Sequence, residues 1–268
     1  MRTDWREAIE DLAPTVLILG GFLMSPPFYA PMRQRLLARG AAAVVTDGIW
    51  TPDWLLAGPR GLGSILRRAE ASLDRAVQAS TNSAGSRGAP ILVVGHSSGG
   101  IVARVLTSHV PYAGRLLGRS DAIGAIVTIG APHHSDATGF LGRTMVARAG
   151  RFANRVVPGA FHAPEIGYVT VASRAVAGRL DGPGRERVAH HVYRTFLPNL
   201  VGPRIEGDGV VSLESALLPG TTQVVLDGIV HGQGGGQPWY GTNPALDRWW
   251  PVALNAWRAA LRARRRSG

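Results

Sequence analysis

The segment Gly95-His96-Ser97-Ser98-Gly99-Gly100 is the part of this chain best suited to chemistry. It follows the apolar run 91–94 and precedes the helix-like run 99–109, so Ser97 falls at a turn between a strand and a helix. The spacing G-x-S-x-G has a steric reason. A sharp turn there strains the backbone of the central serine, and Gly95 and Gly99 remove side chains that would collide with the flanking strand and helix. The turn lifts the Ser97 hydroxyl above the strand ends. It also leaves the amide of Ser98 near the helix N-terminus, aimed at a negative charge developing on a carbonyl oxygen. A serine hydroxyl is a weak nucleophile at neutral pH, so a base must take its proton. Ser98 is the rival nucleophile, but it holds the variable position of the motif.

Acyl transfer needs a second amide donor, generally from the loop after an earlier strand. Gly20-Gly21-Phe22-Leu23 follows the apolar run 15–19, and its glycine pair permits close approach of backbone to a substrate. Phe22 is the residue whose N–H is expected beside that of Ser98. The glycine pair does not read as a dinucleotide site: G-x-G-x-x-G is absent, and Pro26-Pro27 interrupts the helix start.

The chain has 8 histidines: His96, His109, His133, His134, His162, His190, His191 and His231. His231 lies in a short loop after the apolar run 223–226, late in the chain, where a base following nucleophile and acid belongs. The best acid is Asp208 in Glu206-Gly-Asp-Gly-Val-Val-Ser212, held between glycines ahead of an apolar pair. From there a carboxylate could accept the imidazole N–H and hold the ring in the needed tautomer. Asp181 reads as a plain turn, and Glu206 and Asp227 are the remaining rivals. The pairs His133-His134 and His190-His191 invite a metal, but adjacent imidazoles do not readily share one ion and no H-E-x-x-H is present. No metal and no cofactor are expected.

These residues need a scaffold. Short apolar runs at 15–19, 43–45, 91–94, 123–129, 168–172 and 223–226 alternate with helical segments at 27–39, 64–79 and 99–109. That alternation predicts an α/β fold with a mostly parallel central sheet and helices on both faces. Such sheets collect ligands at the carboxyl ends of their strands, where the candidate residues lie. Residues 81–90 read as a polar loop. The stretch 133–166 breaks the alternation and reads as a small cap or lid, or as a surface excursion. With 268 residues and 45% hydrophobic content, one domain over 1–268 is expected.

All 29 basic residues are Arg, and 18 acidic residues leave a formal charge of +11. A general preference for Arg over Lys accounts for this, and peripheral contact with an anionic membrane is the alternative. Nucleic acid is not expected as a partner. Residues 258–268 form the one Arg cluster and read as a solvated basic tail. With no Cys, disulfides and thiolate metal sites are excluded. The apolar run near the start is too short for a signal-peptide core or a membrane span, which points to a soluble cytoplasmic protein. Oligomeric state is not encoded in any motif.

The motifs together resemble those of bacterial and plant lipase-like α/β-hydrolases. Gly95–Gly100 resembles their nucleophile elbow and Gly20-Gly21-Phe22 their oxyanion loop, which usually carries His where Gly20 stands. Thr128-Ile-Gly-Ala-Pro-His-His134 is similar to a segment after their next strand, and 207–216 to their acid loop. Ile229-Val-His231 with Trp239-Tyr-Gly-Thr242 is like a group of bacterial, cyanobacterial and chloroplast hydrolases. The resemblance covers roughly residues 15–250. It implies an α/β-hydrolase fold, a Ser97–His231–Asp208 triad, and Phe22 with Ser98 as oxyanion donors. It also implies carboxylic-ester hydrolysis on a small-molecule or lipid ester through an acyl-enzyme. An acyltransferase, thioesterase or amidase on the same scaffold is the alternative, and a non-catalytic lipid- or protein-binding protein the second. Leu23, Met24, Trp50, Trp54 and Phe140 are expected to line the substrate entrance together with Phe22.

Overall fold

Thr15–Leu19, strand β1, is buried at every residue, and its side chains divide by parity. Val16 and Ile18 enter one hydrophobic cluster, Leu17 and Leu19 the other. A strand that is apolar on both faces is stable only where both faces of its sheet are covered. The computed structural model describes residues 5, 9–60, 62–84, 88–135, 144–200 and 202–267, and builds that sheet. Strands β2 (Ala43–Thr46), β3 (Ile91–His96), β4 (Ile123–Ile129), β5 (Gly167–Arg174) and β8 (Thr222–Asp227) join β1 in the order β2-β1-β3-β4-β5-β8. Every pairing in it is parallel. The register sets Leu19 beside Gly95 and His96 beside Ile129, so the loops after β1, β3 and β4 leave the sheet at one edge.

Helix α1 (Ala30–Ala38) covers one face through Met32 and Leu36. Helices α2 (Thr51–Arg60), α3 (Gly63–Ala84), α4 (Ser98–Leu106) and α5 (Met145–Val156) cover the other. A small antiparallel pair, β6 (Val176–Gly178) with β7 (Ile205–Gly207), is packed by helix α6 (Gly184–Phe196) through Val176, Ala189, Tyr193 and Ile205. A short helix α7 (Leu213–Ala216) follows, capped by the Ser212 hydroxyl, which accepts from the Ser215 amide. Among the described residues no helix is long and apolar enough to cross a membrane.

The chain departs from its sequence pattern in several places. Residues 258–267 are not a solvated tail but the last turns of helix α8 (Asn243–Ser267), which lies against the same face as α1. Trp249, Trp250, Ala253, Trp257, Ala260 and Leu261 recur at helical spacing and are buried, and that apolar stripe outweighs the charge of the arginines beside it. Those arginines have work inside the fold. Arg264 donates to the carbonyls of Ser120 at 2.8 Å and Ile123 at 2.7 Å, and Arg262 pairs with Glu10. The predicted loop 81–90 is shorter than expected, because α3 runs on to Ala84. The predicted helix 27–39 opens as a 3-10 turn over Pro26–Tyr29 and becomes α-helical at Ala30, since Pro31 has no N–H to donate to the Pro27 carbonyl and the Ala30 amide takes that acceptor instead. Within the stretch 133–166, residues 136–143 lie outside the described residues, and 145–156 form α5. That helix buries Ala149, Phe152 and Ala153 in the main core, so this part is a layer of the fold.

Candidate active site

Ser97 stands between β3 and α4 with φ 53° and ψ −126°, a conformation that costs a non-glycine residue about 1–3 kcal/mol. The surroundings enforce it. The Ser97 amide donates to the Ile129 carbonyl at 3.0 Å, and the Gly100 amide donates to the Ser97 carbonyl at 3.0 Å. A Cβ at Gly99 would run into the carbonyl oxygen of Leu19, so only glycine lets α4 approach β1 this closely. Ser98 opens α4 with its own hydroxyl buried and, among the described residues, unpartnered. Its side chain points into the fold, and its backbone amide is an orphan donor of the helix start.

The imidazole of His231 donates from Nδ1 to Asp208 Oδ2 at 2.8 Å. Asp208 is buried, and both of its oxygens are engaged. Oδ1 accepts the amides of Val210 at 2.9 Å and Val211 at 2.7 Å, while Oδ2 also accepts the Tyr240 hydroxyl at 3.0 Å. Burial alone would raise the carboxyl's pKa. The charge and hydrogen bond of His231 and the two amides outweigh burial and hold Asp208 below its ordinary range. The β6–α6–β7 excursion delivers this acid: the Tyr193 hydroxyl takes the Gly209 amide at 2.8 Å and donates to the Val176 carbonyl. At Gly130, just after β4, a Cβ would stand 2.7 Å from Asp208 Oδ2 and 3.2 Å from His231 Nδ1, so glycine is required where the pair passes the sheet edge. The His231 ring lies 4.8 Å, centroid to centroid, from that of His96, the residue next to Ser97.

The loop after β1 reaches the same edge. A Cβ at Gly21 would be 3.0 Å from Ser97 Cβ. The Gly20 amide donates to Asp47 Oδ2 at 2.5 Å and the Gly21 amide to the Tyr29 hydroxyl at 2.8 Å. The amides of Phe22 and Ser98 find no protein acceptor among the described residues. A Cβ at Gly20 would stand 2.8 Å from the Tyr29 ring and 3.3 Å from Asp47 Oδ2, so tyrosine and aspartate fill the space beside residue 20. Burial pushes the Asp47 carboxyl up to about 6, against the downward pull of the Gly20 and Ile49 amides and the Arg75 charge. Leu23, at φ 62°, accepts the Thr51 hydroxyl at 2.7 Å on its carbonyl, which ties the loop to the start of α2.

The expected entrance residues separate. Phe22 (43% exposed), Leu23 (36%) and Trp50 (49%) are exposed apolar side chains, and Met24 is half-buried against the core. Trp54 is a core residue instead: it is buried under Phe22, in edge-to-face contact at 5.5 Å, because its position on α2 faces the sheet. Phe140 lies outside the described residues. The rival acids point elsewhere. Asp227 pairs with Arg174 at 3.0 Å, Glu206 with Arg204 at 3.2 Å, and Asp181 with Arg179 at 3.5 Å, all in exposed positions. His133 is buried against Thr128 and Arg104, and His134, His162 and His109 bond to Leu217, Thr107 and Ser120. Among the described residues no group of three His, Cys, Asp or Glu side chains could hold a metal.

Three residues of this region escape sequence reasoning: Tyr29, Asp47 and Tyr240. Asp47 directly follows β2 and could have been found by inspecting every residue at a strand's carboxyl end. Tyr29 closes the 3-10 turn over Pro26–Tyr29 and carries no local signal, and Tyr240 lies in the turn ahead of α8, in the stretch Trp239-Tyr-Gly-Thr242 that the sequence marks without a role for the tyrosine.

The family described as PGAP1-like alpha/beta domain matches residues 62–146, which include the Ser97 turn. No curated protein matches the chain by sequence. The chain is similar in structure to the mature lipase BlEst2 of Bacillus licheniformis, at 15% identity and TM-score 0.59, over 92% of this chain and 93% of that one. It is similar also to esterase 2 of Thermogutta terrifontis, at 12% identity and TM-score 0.50, over 94% and 83%. At these identities the likeness establishes the architecture: a parallel sheet layered by helices on both faces.

Proposed function

We propose that this chain, an α/β-hydrolase by fold, is a serine hydrolase of carboxylic esters. The observation that carries the reading is the 2.8 Å bond from His231 Nδ1 to the buried Asp208, with the His231 ring 4.8 Å from that of His96, the residue before a serine held in strained backbone at a strand–helix turn. With Nδ1 occupied by its hydrogen, the neutral ring keeps Nε2 as the free base. Ser97 Oγ attacks the ester carbonyl carbon while His231 Nε2 takes its proton. The carbonyl oxygen becomes an oxyanion, and the amides of Phe22 and Ser98 are the donors for it. The tetrahedral intermediate collapses, the carbon–oxygen bond to the alcohol breaks, and His231 returns the proton to the leaving alcohol. Water then attacks the acyl-enzyme by the same route and frees the carboxylic acid and Ser97. The low Asp208 pKa supports its part: it stays an anion and steadies the imidazolium that forms twice per turnover.

Exposed Phe22 and Leu23 on the loop after β1, and Trp50 ahead of α2, favour acyl or aromatic esters over charged ones. The names of the two structural neighbours, a lipase and an esterase, agree with ester cleavage. Hydrolysis of p-nitrophenyl butyrate by the wild-type protein and by Ser97→Ala tests the reading. Activity that disappears with the hydroxyl supports it, and activity that persists at the wild-type level refutes it.

A further inference from the structure

Three hydrogen bonds run in series from the loop after β1 to the loop after β8. The Gly21 amide donates to Tyr29 Oη at 2.8 Å, Tyr29 Oη meets His96 Nδ1 at 2.8 Å, and His96 Nε2 meets the His231 carbonyl at 2.9 Å. The two backbone ends determine every proton between them. A carbonyl oxygen only accepts, so His96 Nε2 carries the hydrogen. In the neutral ring Nδ1 is then bare, so Tyr29 donates its O–H there and accepts the Gly21 amide on the same oxygen. A second proton on His96 would face Tyr29 Oη and turn the hydroxyl hydrogen away. Tyr29 is 1% exposed, and among the described residues Oη has no other acceptor. Only the neutral imidazole satisfies the series. Burial, and after it the charge on His231, pushes the His96 pKa down to about 3, in keeping with that state.

The series touches each part of the candidate site. Gly21 precedes Phe22, and with the Gly20 amide held by Asp47, the Phe22 amide is the first in the loop left free. His96 belongs to β3 and precedes Ser97, so its ring is anchored in the nucleophile turn. Its Nε2–H holds the main chain of His231, whose side chain is the base. Phe28 and Trp239 pack around His96 with centroids at 6.3 Å and 5.9 Å.

We infer that Tyr29 and His96 are positioning residues for acyl transfer at Ser97, coupling the direction of the Phe22 amide to the seat of His231; this rests on the roles given to Ser97, His231 and Phe22 above. Tyr29→Phe keeps the ring and removes Oη, leaving the Gly21 amide and His96 Nδ1 without their partner. It lowers kcat on p-nitrophenyl butyrate about 10- to 100-fold while KM stays within about 2-fold, because a misplaced oxyanion donor is felt mainly in the transition state. His96→Gln keeps a donor for the His231 carbonyl and removes the ring nitrogen that faces Tyr29 Oη. In the double variant the loss does not exceed that of the worse single variant, because both changes break one series. A wild-type kcat in folded Tyr29→Phe, or losses that multiply, overturns the inference.

Should Tyr29→Phe fail to fold, imidazole nitrogen NMR of the wild-type protein decides. A neutral Nε2–H tautomer for His96, constant from about pH 5 to about pH 8, supports the series, and an Nδ1–H tautomer or a titration in that range overturns it. Ser97→Ala keeps the two claims apart. Full hydrolysis without the Ser97 hydroxyl sinks the esterase reading itself. Hydrolysis that needs Ser97 but ignores Tyr29→Phe sinks the positioning role alone.

Discussion

His231 meets Asp208 twice. Its imidazole donates to the Asp208 carboxylate at 2.8 Å, and its backbone amide donates to the Asp208 carbonyl at 3.0 Å. The side-chain bond sets the tautomer and plane of the ring. The main-chain bond joins the loop after β7 to the loop after β8, so the carboxylate and the imidazole are held as one unit.

Asp208→Asn keeps the shape of this unit and removes its charge. The amide can also turn its NH2 toward the ring, which favours the tautomer with the hydrogen on Nε2, the wrong nitrogen for a base. The expected outcome is a fall in kcat of about 10³- to 10⁴-fold at neutral pH. Steady-state kinetics on p-nitrophenyl butyrate checks it, and a loss below about 10-fold contradicts the assignment of the acid.

Tyr240→Phe deletes one of the four donors to Asp208 and leaves the ring packing in place. A buried hydrogen bond to a charged acceptor contributes about 1.5–3 kcal/mol, so urea unfolding is expected to register a loss of that order. The remaining donors are His231 and two amides, so kcat falls less than in Asp208→Asn.

Two buried groups bend the pH dependence of stability in opposite directions. His96 has a folded value of about 3 against an ordinary 6.5. The unfolded chain holds the extra proton between those values, so this contribution is complete above about 6.5 and is lost as pH falls toward about 3. Asp47 has a folded value of about 6 against an ordinary 3.8, so its contribution is present below about 3.8 and is lost as pH rises through about 6. Asp47→Asn removes only the second effect. Relative to wild type, the variant gains stability between about pH 4 and about pH 7, by up to about 3 kcal/mol. Urea midpoints at several pH values measure this, and a difference that does not vary with pH contradicts it.

Arg104 is 1% exposed and holds α5 against α4 by donating to Asn154 Oδ1 and the Val157 carbonyl, each at 2.9 Å. Arg104→Ala leaves a cavity and two acceptors unmatched, at a cost of about 3 kcal/mol or more. Thermal unfolding reports the loss as a lower Tm. An unchanged Tm would mean that α5 does not depend on this anchor.

The sequence carries the sheet well, because strands buried on both faces must be written as unbroken apolar runs, as 15–19 and 91–94 are. Ser97 is readable for a local reason: the turn that exposes it tolerates almost nothing but glycine around it. Asp208 stands out by its flanking glycines, and His231 by its place after a late strand. The rest depends on tertiary contact. Tyr29 meets His96 across a sequence separation of 67, with no spacing rule to announce it. Trp54 has the composition of an entrance residue and becomes core because α2 turns it toward the sheet. Helix α8 is hidden by its own arginines and by Pro251 in its interior, although its tryptophans recur at helical spacing.

Ester hydrolysis by the proposed route requires that Ser97 be the hydroxyl that becomes acylated. The most direct measurement of this is reaction of the folded wild-type protein with a fluorophosphonate, followed by mass spectrometry of the peptides. One adduct per chain is expected, on Ser97, abolished by unfolding beforehand. An adduct on Ser98 or another residue, or no reaction by the folded protein, would contradict it.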